Sequence, residues 1–402
     1  MRRDLILPLA FMALLLIMAE PMHAQSVDSR IRVATFNVSL NRSGAGDLEK
    51  ELAADSQQAS RIAAVIRHIR PDILLLNELD FSAQTNNAKL FHDNYLANPQ
   101  TDLLGGSAIH FKYLYSGPVN TGVSSQMDLN ANGNTDDPED AFGFGRFPGQ
   151  YGMAAYSCFP ILEKDVRTFQ NFLWAQLPRP LRPYLPDGTT YYSDQVWPKL
   201  RLSSKSFWDI PIVSPLGKIH VLASHPTPPA FDGPEDRNGC RNHDEIMLIK
   251  HYIDNEHTLI DDAGIHGGLP NSEPFVVLGD LNSDPVDGGS RPEAISLLLN
   301  HNRVCQVSPP ISQGAKAASS SQGGMNRQHK GDPQFDTGDF SDNSVGNLRV
   351  DYVLPSNDFR VVESGVFWPS SDELPLQFRQ AFKDCINASD HRLVWADIQL
   401  PK

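Results

Sequence analysis

The stretch VVLGDLNSDP, residues 276–285, decides how the rest of the chain is read. Val276, Val277 and Leu278 form the short apolar run of a buried strand, and Gly279 lets the backbone turn. Asp280 and Asn282 follow at alternate positions, which at the C-terminal end of a strand aims both side chains to one side of the chain. A carboxylate beside a carboxamide suits a hard metal ion and a phosphate oxygen. Polar turns favour the same residue types. The stretch is therefore weighed with the elements around it.

Working outward, IRVATFN (31–37) reads as a strand ending at Asn37. DSQQASRIAAVIRHIR (55–70) carries apolar residues at 59, 62, 63, 66 and 69, a helical stripe that Pro71 stops. PDILLLNELD (71–80) holds a continuous apolar run, Ile73 to Leu76, suited to a strand buried on both faces and ending at Asn77 and Glu78. GKIHVLASHPTPP (217–229) gives a strand ending at His225, where prolines prevent continuation. A helix is expected around Arg291–Asn300. LRVDYVLPS (348–356) places Asp351 in a strand, and ASDHRLVWADIQL (388–400) places Asp390 and His391 just before a last one. Strands and helices alternate with polar residues at strand ends, the α/β pattern of a site at strand C-termini.

Between these elements lie long connections, about 81–150, 165–210 and 306–346, in what reads as one domain over residues 28–402. The last of them is rich in Ser, Gly and Gln and reads as a mobile loop that adds nothing to the core. In the first, DLNANGNTDDPE (128–139) fits the calcium-loop template, with oxygen ligands at Asp128, Asn130, Asn132, Asp136 and Glu139 and a turn at Gly133. Pro138 and the lack of clear flanking helices depart from a true EF-hand, and an ordinary Asn/Gly-rich surface loop is the competing account. Arg146, in the glycine-spaced aromatic stretch 142–157, is a candidate phosphate ligand. So are Arg237, Arg241 and His243, which enter a helix at its N-terminus; solvated capping is the alternative.

The chain has 402 residues and a formal net charge of −14, which is no footprint of tight nonspecific binding to polyanions. No stable nucleic-acid complex is expected. Hydrolysis of a polyanion is still open, since divalent cations supply local positive charge. Arg2 and Arg3, the apolar run Leu5–Ala19 and a short region ending at Ala24 read as a signal peptide over 1–24. A periplasmic or extracellular protein without a membrane span is the expectation. Four cysteines (Cys158, Cys240, Cys305, Cys385) in an oxidising compartment favour at least one disulfide among three pairings, and no close-spaced metal motif is present.

The ordered strand ends, with G-D-x-N at 279–282 and S-D-H at 389–391, resemble the endonuclease/exonuclease/phosphatase superfamily. That superfamily includes pancreatic-type deoxyribonucleases, abasic-site endonucleases, neutral sphingomyelinases and inositol polyphosphate phosphatases. The resemblance spans roughly residues 31–399. It implies a four-layer α/β sandwich, two mixed β-sheets packed face to face with helices outside, and an active site at one edge. It further implies Asn37, Glu78 and Asp390 as ligands of Mg²⁺ or Mn²⁺, and Asp280 as the group that orients or deprotonates water. By the same resemblance Asn282 holds a phosphate oxygen, His391 contacts the phosphate with Asp351 behind it, and His225 protonates the leaving oxygen. One departure stands out: the deoxyribonucleases pair that histidine with a glutamate, and residues 81–138 contain none. Asp93 and Asp102 are the candidate substitutes.

The expected function is a secreted, divalent-metal-dependent phosphodiesterase or phosphatase acting on a small-molecule, lipid or nucleic-acid phosphoester. An extracellular nuclease of the same superfamily is the near alternative. A non-catalytic calcium-dependent binding module is the alternative of another class, because fold does not establish function.

Overall fold

The computed structural model describes residues 29–99 and 103–401. The expected signal peptide and Asp102 lie outside the described residues. The strands run β1 (Ile31–Leu40), β2 (Ile73–Leu79), β3 (Tyr113–Tyr115), β4 (Met153–Ser157), β5 (Arg167–Thr168), β6 (Phe207–Ser214) and β7 (Gly217–Ser224). They continue through β8 (Phe275–Asp280), β9 (Gly338–Asp339), β10 (Asn347–Leu348), β11 (Asp351–Pro355), β12 (Arg360–Val366) and β13 (Val394–Gln399). The helices are α1 (Asp47–Ala53), α2 (Gln57–Ile69), α3 (Asn87–Phe91), α4 (Arg237–Ile253), α5 (Pro292–Leu299), α6 (Gln313–Gln322) and α7 (Arg379–Ile386).

Two sheets carry the fold. One has the order β12-β13-β1-β2-β4-β3, the other β11-β8-β7-β6-β5, and β9 and β10 form a small ribbon. Each large sheet is mixed around one parallel pair, β1 with β2 and β7 with β8. A parallel pair needs a crossover, and the helical segments between these strands supply it. The C-terminal ends of β1, β2, β7 and β8 consequently meet at one edge.

Alternation along the strands sorts side chains into layers. Val33 of β1 and Val276 and Leu278 of β8 lie in a core shared by the facing sheets. Ala34 and Phe36 face the other way, onto the apolar stripe of α2, while Phe275 and Val277 pack with α4 and α5. The result is the expected four-layer sandwich. Ser56 caps α2 by accepting the Ala59 N–H at 3.1 Å, and Arg70 closes it in a left-handed conformation.

Two expectations are overturned. All four cysteines are free. Cys240 sits in α4 within the outer core of one sheet and Cys385 in α7 within that of the other, so both sheets stand between them. The 306–346 connection is also not a structureless loop. It forms α6, whose Ala315 is buried in the core between the sheets, and then runs under the catalytic edge. Its Ser and Gly content reflects side-chain-to-backbone bonds such as the Ser312 cap on Ala315 at 2.9 Å rather than disorder.

Gly279 is a position where only glycine fits. Its φ is 152°, and a Cβ there would come within 2.0 Å of the Ser224 carbonyl oxygen in the neighbouring strand. Gly279→Ala should therefore destabilise the protein by about 3 kcal/mol or more. Equilibrium unfolding in denaturant checks this, and an unchanged midpoint would show that β7 and β8 can part to admit a methyl group.

Candidate active site

β1, β2 and β8 deliver the central polar groups to one edge. Asp280, the last residue of β8, is buried, and its Oδ2 accepts from Asn37 Nδ2 at 3.0 Å. The same Asn37 nitrogen donates to Glu78 Oε1 at 3.1 Å, so one carboxamide spans two carboxylates. Asn282 braces Asp280 from the other side, with its N–H on Oδ1 at 2.9 Å and its Nδ2 3.3 Å from Oδ2. Asn282 Nδ2 also donates to the Pro226 carbonyl at 3.1 Å. The backbone is strained at this edge, with positive φ at Ser39 (48°), Glu78 (59°) and Asn282 (52°). The first of these lies in a bulge of β1 against β2 that begins after Asn37.

Asp351 lies opposite Asp280 in the β11–β8 ladder, and His391 bridges the two carboxylates. His391 Nδ1 is 2.9 Å from Asp351 Oδ2, and its Nε2 is 3.6 Å from Asp280 Oδ2. Burial acts to lower the His391 pKa, but Asp351 and Asp280 outweigh it and raise it to about 10. Burial pushes Asp280 up to about 7, with His391 opposing and the charge of Asp351 adding to the rise. The histidine is thus protonated at neutral pH and the aspartate is poised near it. Thr337 completes the support by donating its hydroxyl to Asp351 Oδ2 at 2.8 Å. That residue comes from the connection expected to be mobile, and nothing in its local sequence signals the role.

Asp280, Asp351 and His391 bring one ligand atom each to within 4.8 Å of one another. The resemblance points instead to Asn37, Glu78 and Asp390, and these also gather. Asp390 Oδ1 accepts from the Ser39 hydroxyl at 2.8 Å, and its charge acts on Glu78. Burial raises the Glu78 pKa despite the Asn37 hydrogen bond. Among the described residues the Glu78 carboxylate has amide donors, Asn37 and Asn41 (2.7 Å to Oε2), but no ion pair. A desolvated carboxylate with only neutral donors is a position that a divalent cation would relieve. Glu78 and Asp390 offer hard carboxylate oxygens that fit Mg²⁺ or Mn²⁺, whereas Asn37 turns its Nδ2 to Glu78 and has only the second lone pair of its Oδ1, which accepts the Ser39 N–H at 3.2 Å, left for a cation.

His225 reaches the same edge, with Nε2 3.4 Å from Asp280 Oδ2, but its Nδ1 is buried without a hydrogen-bond partner. Burial, then Lys205 and His391, push its pKa well below the ordinary value. Neutral, it lies against Asp280 rather than standing as a charged acid. Asp93 does not substitute for the missing glutamate: it is taken up by Lys89 and by His92, 2.8 Å away, on an exposed helical segment.

A cavity of about 610 Å³ opens beside Glu78 and His225. Of the candidate phosphate ligands, Arg237 and Arg241 line it, whereas Arg146 and His243 do not. Arg146 is exposed. His243 pairs with Asp244 at 2.8 Å. Arg241 spends its guanidinium on carbonyls, among them Leu202 O at 2.8 Å, and Arg237 pairs with Glu235. The calcium-template loop folds on itself: Asp128 accepts the N–H groups of Asn132 (3.1 Å) and Gly133 (2.8 Å), while Asn130 and Glu139 line the cavity. Sequence reasoning missed Lys205, a buried lysine at the cavity's catalytic end, and named Asn77 as a strand end without a role, whereas its Oδ1 accepts the Asp280 N–H at 3.1 Å. For Asn77 a signal was present, a carboxamide inside an otherwise apolar strand.

Residues 34–391 match the endonuclease/exonuclease/phosphatase family model. Similar solved structures include an endonuclease/exonuclease/phosphatase from Beutenbergia cavernae DSM 12333 at 18% identity and TM-score 0.49, covering 92% of this chain and 72% of that one. Sphingomyelinase C from Streptomyces griseocarneus aligns at 14% identity and TM-score 0.45, covering 92% and 99%. A magnesium-bound beta toxin from Staphylococcus aureus aligns at 12% identity and TM-score 0.42, covering 93% and 100%. No curated protein matches the chain in sequence.

The His391 proton has a measurable consequence. Hydrolysis that needs it should persist through neutral pH and decline as pH rises toward about 10. Asp351→Asn removes a charge that raises this pKa, so the decline should move to lower pH. A pH–rate profile of kcat/KM for both forms checks it, and coincident alkaline limbs would remove Asp351 from the role.

Proposed function

This chain belongs to the endonuclease/exonuclease/phosphatase family, whose members are metal-dependent phosphoester hydrolases, and from that premise we propose that it is a secreted phosphodiesterase or phosphatase in which Asp280 activates the attacking water. The observation that carries this reading is the setting of Asp280. It is buried, fixed by Asn37 and Asn282 with His225 beside it, and faces a protonated histidine. A base with a pKa near the working pH combines availability with proton affinity.

The roles follow from position. Asp280 accepts the proton of a water as its oxygen bonds to phosphorus; the bond from phosphorus to the ester oxygen breaks, and the leaving oxygen departs as an alkoxide or phenoxide that takes its proton from solvent. His391, held by Asp351, presents Nε2–H toward the phosphoryl oxygens from the same side as Asp280. Asn37 keeps Glu78 and Asp280 in register, and Asn282, bonded to both oxygens, keeps the Asp280 carboxylate from rotating. A divalent cation at Asn37, Glu78 and Asp390, when bound, supplies positive charge against that gathering on the phosphoryl oxygens. Secretion is part of the proposal and rests on residues 1–24 of the sequence; no described helix is long and apolar enough to cross a membrane.

The test is hydrolysis of plasmid DNA, bis-p-nitrophenyl phosphate and p-nitrophenyl phosphate by the purified protein with and without Mg²⁺, Mn²⁺ and Ca²⁺. Turnover of the small esters is expected, chelation should abolish it, and Asp280→Asn should lower kcat by about 10²–10⁴-fold. DNA cleaved far faster than the small esters would make the protein a nuclease. Asp280→Asn with full activity would remove the mechanism.

The loop from Asp128 to Glu139 is proposed as a structural Ca²⁺ site, supported by its fit to the ligand template. Calorimetric titration of chelator-stripped protein should show one Ca²⁺ bound and lost in Asp128→Ala. Equal heats from the two proteins would leave an ordinary surface turn.

A further inference from the structure

The cavity beside the catalytic edge has a chemistry of its own. At about 610 Å³ it has the size of a small-molecule pocket. Its catalytic end carries Glu78, His225 and Lys205. Its body carries Phe142, Trp174, Tyr191 and Tyr192, and Phe144 and Phe231 stand at its exposed rim, 52% and 90% accessible. Four basic side chains, Arg201, Lys205, Arg237 and Arg241, line it against two carboxylates, Glu78 and Glu139. In a protein of net charge −14 that is a local excess of cations even though Glu235 takes up Arg237, and a low-dielectric cleft focuses the remaining field onto an anion.

Lys205 is the unusual member. Its side chain is buried, yet its Nζ forms no hydrogen bond or ion pair among the described residues. The nearby Glu245 does not serve as its partner. That carboxylate accepts the Ser204 and Thr227 N–H groups, each at 2.6 Å, and so clamps the segments that carry Lys205 and His225. The Lys205 Nζ opens on the cavity, where the Glu245, Glu78 and Asp280 carboxylates act on it without hydrogen-bonding it. An ammonium with open donors at a cavity wall is suited to take an anionic oxygen of a ligand. Burial lowers the Lys205 pKa, while Glu245, Glu78 and Asp280 oppose the fall.

The aromatic walls are braced from outside the ligand. The Arg201 guanidinium lies 4.2 Å from the Phe142 ring centre and that of Arg237 lies 5.5 Å from Tyr191. Tyr191 and Tyr192 meet edge to face at 4.9 Å. Rings fixed in this way form a preformed slot, which suits a flat apolar group better than a flexible chain.

We propose that this cavity is the substrate subsite for a small phosphoester carrying an aromatic ring, with Lys205 taking a phosphoryl oxygen at the catalytic end and the Phe142–Tyr191 walls taking the ring. The proposal rests on the phosphoester-hydrolase reading above and adds the substrate class. It assigns Lys205 a contact with substrate that Asn282 and His391 do not duplicate, because it approaches from the cavity side.

The test separates binding from turnover by using phosphonates, which are not hydrolysed. Phenylphosphonate and methylphosphonate are titrated calorimetrically into the Mg²⁺-loaded protein, with thermal melting to confirm that each variant is folded. Phenylphosphonate should bind about tenfold or more tighter. Tyr191→Ala should bring the ratio toward one, and Lys205→Met should weaken both ligands by about tenfold or more, with Lys205→Arg weakening them less. Equal affinities in the unaltered protein, or full affinity in Lys205→Met, would overturn the subsite. Should Lys205→Met fail to fold, the phenyl-to-methyl ratio in Tyr191→Ala still decides the matter. Loss of the hydrolase reading shows separately, as absence of turnover of every phosphoester or full activity in Asp280→Asn.

Discussion

Two buried carboxamides tie the catalytic edge across the seam between the sheets. Asn77 belongs to β2 in one sheet, and it accepts the Asp280 N–H at 3.1 Å and reaches the Ser224 carbonyl at 3.4 Å in the other. Asn37 makes the matching link between side chains, joining Glu78 of its own sheet to Asp280 of the opposite one. A carboxamide suits the task because it offers donor and acceptor together and stays neutral, so it satisfies strand-end groups without burying another charge. A one-residue slip of β2 would turn Asn77 to the other face and undo both sheets' alignment at once.

On that seam the electrostatics become local. The chain as a whole is acidic, yet the catalytic edge holds an imidazolium between two aspartates, and among the charged side chains lining the adjoining cavity cations outnumber carboxylates. Burial does most of the work, raising Asp280 and Glu78, lowering His225 and Lys205, and leaving His391 as the exception that two carboxylates keep charged. A network of this kind is sensitive to removal of any member, since each unpaired group is left in a low dielectric.

The long connections, rather than the sandwich, give the site its shape. The segment around residues 121–151 and that around 174–205 form much of the cavity wall, while the 306–346 connection supplies Thr337 to Asp351 and the Gly338 bridge to His391. Arg392 secures that last segment by donating to Asp339 at 2.7 Å. The sheets thus hold the reacting groups, and the loops decide what reaches them.

Much of the fold was legible because strand and helix periodicities are local. Apolar runs and alternation marked β1, β2, β7, β8, β11 and β13, and the polar residues in or beside their ends named Asn37, Glu78, His225, Asp280, Asp351 and the Asp390–His391 pair, although β1 runs on past Asn37 to Leu40 and Asp351 opens β11. Lys205 was not legible, since SSKSF gives no hint that the lysine is buried without a partner, and neither was Thr337 within a Ser/Gly-rich run. The disulfide expectation failed for a related reason: cysteine parity says nothing about which side of a sheet each thiol occupies. By itself, then, the sequence determined which residue types stand at which strand ends, because that is set by neighbours a few positions away. Only the tertiary structure decided their protonation, their partners and the cavity beside them, because burial and charge at Asp280 come from residues such as Asn37, 243 positions distant, brought close by packing.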